Sequence, residues 1–143
     1  FELPDFERLN EDFSIEKLAE GETDYLIREI RRFMSDKFSN YLRFFEAILH
    51  PVSSPMFVFS ILRAIGVDEK KILEKVYKKL AKFEVELLNL DIEFIEEKEV
   101  EFVKEAYKEW QEIKKDVHSV VGVIQKNWDN GFDVGVNNKH YFG

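Results

Sequence analysis

The feature that most constrains this chain is a periodicity. Leu26, Ile27, Ile30, Phe33, Met34, Phe38, Tyr41, Leu42, Phe44, Phe45, Ile48 and Leu49 recur at spacings of three and four, which at about 100° per residue gathers them on one side of an α-helix. Their arc spans roughly half of the helical wheel, wider than the two-position seam of a dimeric coiled coil, so this helix needs at least two neighbours. Thr23 is placed to cap its start and Pro51 to end it.

Two further registers follow. Ile72, Val76, Leu80, Phe83, Leu87, Leu90 and Phe94 form one, and Val103, Ala106, Trp110, Ile113, Val117, Val121, Ile124 and Trp128 the other. They do not connect, because Glu99 stands where the first would need an apolar residue, so a break is expected between Ile95 and Val100. A short hairpin over residues 92–102 is the alternative, since Ile92, Phe94, Val100 and Phe102 alternate. Between the first and second long helices, Met56 to Ile65 is apolar nearly all round, as a short buried helix would be. Ser54 is expected to cap it with Pro55 in its first turn, Gly66 to end it at positive φ, and Asp68 to cap the helix that follows.

The expected fold is all-α, an antiparallel bundle of three long helices plus one short buried helix and small terminal elements, in one domain over residues 1–143. Residues 1–22 read as a cap segment of short helical turns. Residues 129–143, rich in Gly and Asn, read as a tail or a small hairpin turning at Asn137-Asn138.

Composition limits the function. Apolar residues make up 45% and charged residues 35%, with fourteen Phe, enough to build a core. The absence of Cys excludes disulfides and thiolate chemistry, and favours a cytoplasmic setting. No apolar run approaches the roughly 20 residues of a membrane span, so no membrane partner is expected. Abundant Lys and Glu with little Gln resemble the usage of thermostable proteins. Of the net charge of −8, the segment Glu84 to Glu112 carries the whole imbalance, with eleven acids against Lys98, Lys104 and Lys108. Such a surface repels a phosphate backbone and attracts a basic protein.

Catalytic and cofactor signatures are missing: no phosphate-binding Gly loop, no His-Glu-x-x-His, no Gly-x-Ser-x-Gly. His50, His118 and His140 share no ligand spacing. No metal or cofactor is therefore expected, and an enzyme is the less favoured class. Charges on inward faces are the sharper feature. Lys37 falls within the apolar arc of the first long helix and Arg31 near its edge, while Glu84 and Asp91 sit one heptad apart on the inner side of the next. Cross-helix ion pairs are one reading of Lys37, Glu84 and Asp91, and a cleft with shifted carboxylates the other. Lys71, Lys75, Lys78, Lys79 and Lys82 form a basic stripe after a helix-turn-helix order, but Asp68 and Glu69 occupy the start of the would-be recognition helix.

Three functions follow. The leading one is a helical scaffold that binds protein, either itself or a basic partner, through a surface carrying Glu93, Glu97, Glu101 and Glu105. A ligand or enzymatic cleft around Lys37, Glu84 and Asp91 is the alternative, and nucleic-acid binding through the lysine stripe the third.

Overall fold

The computed structural model describes residues 3–19, 26–52 and 55–142, and every regular element among them is helical. In chain order these are α1 (Phe6–Phe13), α2 (Leu26–Leu49), α3 (Met56–Ala64), α4 (Val67–Ile92) and α5 (Glu96–Phe142), with a 3-10 turn at Glu16–Ala19. None of the described helices is long and apolar enough to cross a membrane. The chain divides into two compact units, Phe1–Leu42 with Lys79–Glu112, and Arg43–Lys78 with Ile113–Gly143.

The core of the first unit is aromatic. Phe38 of α2 is fully buried and stacks on Phe83 of α4 at 5.3 Å between ring centroids. Phe13 meets it edge-on at 5.7 Å, and Trp110 of α5 lies tilted against it at 5.4 Å. Offset and edge-to-face pairs of this kind add about 0.5–1.5 kcal/mol each beyond the area they bury. α1 is fastened to this cluster by polar contacts as well. Lys37 Nζ donates to the carbonyl of Asp12 and lies over the faces of Phe13 and Trp110, 5.8 and 5.5 Å from their centroids. Gln111 Nε2 donates to Asp12 Oδ2 at 2.9 Å. Ser14 then turns the chain with φ of 52°, its N–H closing on Asn10 O at 2.9 Å.

A charge is buried in the same unit. Arg31 of α2, with only 3% of its side chain exposed, donates through Nε to Glu99 Oε1 at 3.2 Å, and Glu99 is itself 6% exposed. Nη2 of Arg31 stands 3.2 Å from Asp91 Oδ1, an ion pair without hydrogen-bond alignment, and Asp91 remains largely exposed. Arg cannot shed its proton at any ordinary pH, so a buried guanidinium must keep a carboxylate.

In the second unit α3 buries Val58, Ile61 and Ala64, and Asn127 Nδ2 donates to Ala64 O at 3.1 Å, satisfying a carbonyl that the end of a helix leaves free. α4 starts at a reciprocal cap. Gly66 O accepts the N–H of Lys70 at 3.2 Å, and the N–H of Gly66 donates back to Glu69 Oε2 at 2.8 Å.

Several expectations need correcting. The break between the second and third long helices falls at residues 93–95, earlier than expected, and residues 92–102 form no hairpin. Glu99 is the reason: as the partner of Arg31 it belongs inside α5, three residues past its first. α5 is helical through Phe142, so the hairpin expected at the tail is not formed. Extending an existing helix gains a backbone hydrogen bond for each residue fixed, whereas an isolated hairpin is marginal. α3 is not a buried helix, since Met56, Phe57 and Phe59 face outward, the first at 77% exposure. Pro55 stands at the cap position, φ −65° and ψ 159°, rather than in the first turn. No described glycine takes positive φ, and Asp68 lies in the first turn of α4, with Gly66 and Glu69 doing the capping. Thr23 and Ser54 lie outside the described residues.

Removing one member of a buried ion pair strands the other. Arg31→Met is expected to lower the stability by about 3–5 kcal/mol in urea unfolding, and Arg31→Met with Glu99→Met to recover most of that loss. A single variant costing under about 1 kcal/mol, the worth of an exposed pair, would show that Glu99 reaches water instead.

Candidate functional site

The acidic segment folds into the end of α4 and the beginning of α5, and its placement follows from the turn between them. Phe94 lies beneath the guanidinium of Arg28, 3.8 Å from it to the ring centroid, while Arg31 grips Asp91 before the turn and Glu99 after it. The carbonyl of Ile95 accepts the N–H groups of Lys98 and Glu99 at 3.1 and 3.2 Å, which starts α5. Glu96, Glu97 and Glu99 then occupy its first turn, where the free N–H groups and the helix dipole favour negative charge.

Beside this turn an open groove of about 360 Å³ runs between the two helices. Glu86, Asn89, Leu90 and Glu93 line one side and Lys98, Glu101, Phe102 and Glu105 the other. Leu90 and Phe102 are buried and form an apolar floor, with carboxylates standing around it.

Opposite charges meet at two rungs of this seam. Lys79 pairs with Glu109 at 3.2 Å, and farther on Glu93 pairs with Lys98 at 2.7 Å. Between those rungs Glu86 faces Glu105, acid against acid. Burial raises the pKa of Glu86 above the ordinary glutamate value, repulsion by Glu105 raises it further, and Lys82 opposes both. Among the described residues no cation lies within ion-pair distance of Glu86, Glu101 or Glu105.

Of the residues singled out from the sequence, Glu93, Glu101 and Glu105 line the groove, and Glu97 is exposed in the first turn of α5 outside it. Lys37, Glu84 and Asp91 do not line it. Lys37 serves Asp12 and the rings of Phe13 and Trp110, Glu84 accepts a hydrogen bond from Ser39 Oγ, and Asp91 pairs with Arg31. Two lysines of the basic stripe are engaged by α5, Lys79 with Glu109 and Lys75 with Asp116 at 3.5 Å. Sequence reasoning missed Glu86 and the depth of Glu99. The spacing was visible for the first, because Glu86 and Glu93 are seven apart and share one face of a helix.

Chemically the groove offers hydrogen-bond acceptors and negative charge over an apolar base, which suits an amphipathic cation. Among the described residues no group of three or more His, Asp or Glu is placed to hold a metal ion.

The raised pKa of Glu86 has a sign that can be checked. A carboxyl that binds its proton more tightly folded than unfolded lowers stability as pH rises through that window, and the penalty is complete above it. Glu86→Gln is therefore expected to stabilise the protein at neutral pH, the gain vanishing once both states are protonated below the ordinary glutamate pKa. Urea midpoints at pH 7 and near pH 3.5 test this, and a gain of equal size at both would assign the effect to something other than charge.

No protein-family model, curated protein or solved structure matches the chain, so the geometry alone bears on what the groove is for.

Proposed function

We propose that this chain is a helical protein-interaction domain whose acidic groove takes a basic segment of another protein. The observation that carries this reading is the rung at which Glu86 meets Glu105 over the floor of Leu90 and Phe102. The rungs on either side pair Lys79 with Glu109 and Lys98 with Glu93, and among the described residues no cation is within ion-pair distance of Glu86 or Glu105. A Lys or Arg side chain supplies one, with an aliphatic stem for the floor and a charged head for the rim. The reading includes an antiparallel α4 and α5, supported by partners that step back along α5 from Glu109 to Lys98 as they step forward along α4 from Lys79 to Glu93. A catalytic cleft at Lys37, Glu84 and Asp91 is less well supported, because each already serves a neighbour in the unit. Nucleic acid suits an acidic groove least.

The test is titration of a fluorescent Lys- and Arg-rich peptide, at low and at high salt. Binding that weakens with salt and falls about tenfold, or about 1.4 kcal/mol, in Glu101→Gln with Glu105→Gln supports the groove. Glu7→Gln with Glu11→Gln removes the same charge from the exposed face of α1, and an equal loss there would reduce the binding to general attraction.

A second reading concerns the other unit. Met56, Phe57 and Phe59 of α3 and the nearby Val52 are exposed together, a large apolar area for one short helix to leave to water. The occupant proposed there is a second copy of the chain. Light scattering at two protein concentrations should show a dimer that Phe57→Ser disperses, and a monomer at both concentrations would sink this reading.

A further inference from the structure

The face of α4 directed away from its core carries a pattern that the groove does not account for. Leu80, Phe83, Leu87 and Leu90 are buried on one side of the helix, and the row opposite them is Val85, Leu88 and Ile92, exposed by 61, 64 and 78%. Earlier on the same helix that outward row is Glu74 and Lys78, ordinary solvated residues. The change from charged to apolar coincides with the acidic segment. Val85, Leu88 and Ile92 are spaced three then four apart, β-branched, Leu, β-branched, which is the a, d, a order of a two-stranded helical seam. About a third of a turn to one side, past Lys82 and Asn89, stand Glu86 and Glu93 of the groove. About a quarter turn to the other side stand Glu84 and Asp91.

We infer that this ridge docks a single α-helix of the partner, with apolar residues at a and d spacing and Lys or Arg on both flanks. The inference rests on the acidic groove being a binding site, and names the shape of what binds. Charge decides between the available occupants. A second copy of α4 laid antiparallel on this ridge would bring Glu84 and Asp91 against acids of its own kind, and one laid parallel would offer them Asn89 in place of a cation, whereas a helix flanked by cations meets carboxylates on both sides. From Val85 to Ile92 the ridge is about 10.5 Å long at 1.5 Å per residue, so the contact takes two to three turns of the incoming helix. The basic flank nearer α5 then reaches Glu86 and the groove beyond it.

Three peptides of the same length decide it: a helix with Leu at a and d and Lys or Arg at the flanking positions, a scramble of identical composition, and the patterned helix with Glu in place of its cations. The patterned basic peptide is expected to gain helicity on binding, to bind at least about tenfold more tightly than its scramble, and to lose about tenfold with Leu88→Gln and Ile92→Gln. Those two side chains are exposed, and an unchanged urea midpoint confirms that the variant folds. If scramble and patterned peptide bind alike, and both weaken with Glu101→Gln and Glu105→Gln, the groove reading stands and the helix is wrong. If no peptide binds, or binding ignores those glutamates, the groove reading falls and this inference with it. Binding by the acidic peptide, or a dimer of the protein that Leu88→Gln and Ile92→Gln disperse, would overturn the basic helix as occupant.

Discussion

Arg31 places a permanent positive charge among apolar side chains, and much of the first unit follows from what that charge requires. An ion of this kind loses several kcal/mol of hydration on burial unless carboxylates replace the water. One of them must come from deep within the fold, and Glu99 supplies it. The other, Asp91, lies on the far side of the turn. A single guanidinium on α2 thus holds the last turn of α4 and the first turn of α5, and through them the two walls of the groove. Arg28, stacked on Phe94, fixes the turn itself.

The acids of this region have different reasons for being there. Glu96 and Glu97 complement the start of a helix, Glu99 and Asp91 neutralise Arg31, and Glu93 and Glu109 answer lysines. Glu84 accepts a hydrogen bond from Ser39 and Glu112 is also engaged, which leaves Glu86, Glu101 and Glu105 without a service to the fold. Repulsion between Glu86 and Glu105 opposes folding, and burial of Glu86 adds to it. The apolar ridge nearby likewise gives nothing to the core. An arrangement that gains stability from neither its charges nor its exposed apolar side chains is the kind that binding explains.

Helices were legible in the sequence because their period is local: Ile30, Met34, Phe38, Phe45 and Ile48, and Leu80, Phe83, Leu87 and Leu90, are buried as their spacing requires, while Phe44 is exposed. Glu99 shows where local reading stops. It was read as an interruption of the first register, whereas it belongs to α5, and the cation that makes its burial tolerable comes from Arg31, 68 residues earlier. Lys37 and Glu84 are half-buried and Asp91 is largely exposed, and each has a partner that a helical wheel, which gives a direction only, does not name. The exposure of α3 failed for a related reason: hydrophobicity measures what a helix would gain from neighbours and not how many neighbours the fold can provide. At Gly66 the expected cap was Asp68, and the N–H of Gly66 donates instead to Glu69 Oε2.

The fastening of α1 bears on the order in which the chain can assemble. Eight residues are too few to hold a helix in water, so α1 persists by what it touches. What it touches includes Trp110 and Gln111, the latter separated from Asp12 by 99 positions. On a ribosome adding about 5–20 residues per second, the segment leaves the exit tunnel several seconds to tens of seconds before those partners exist. Leu9 and Phe13 wait through that interval without their core, and a helix made well before its partners is among the last that the finished protein can keep.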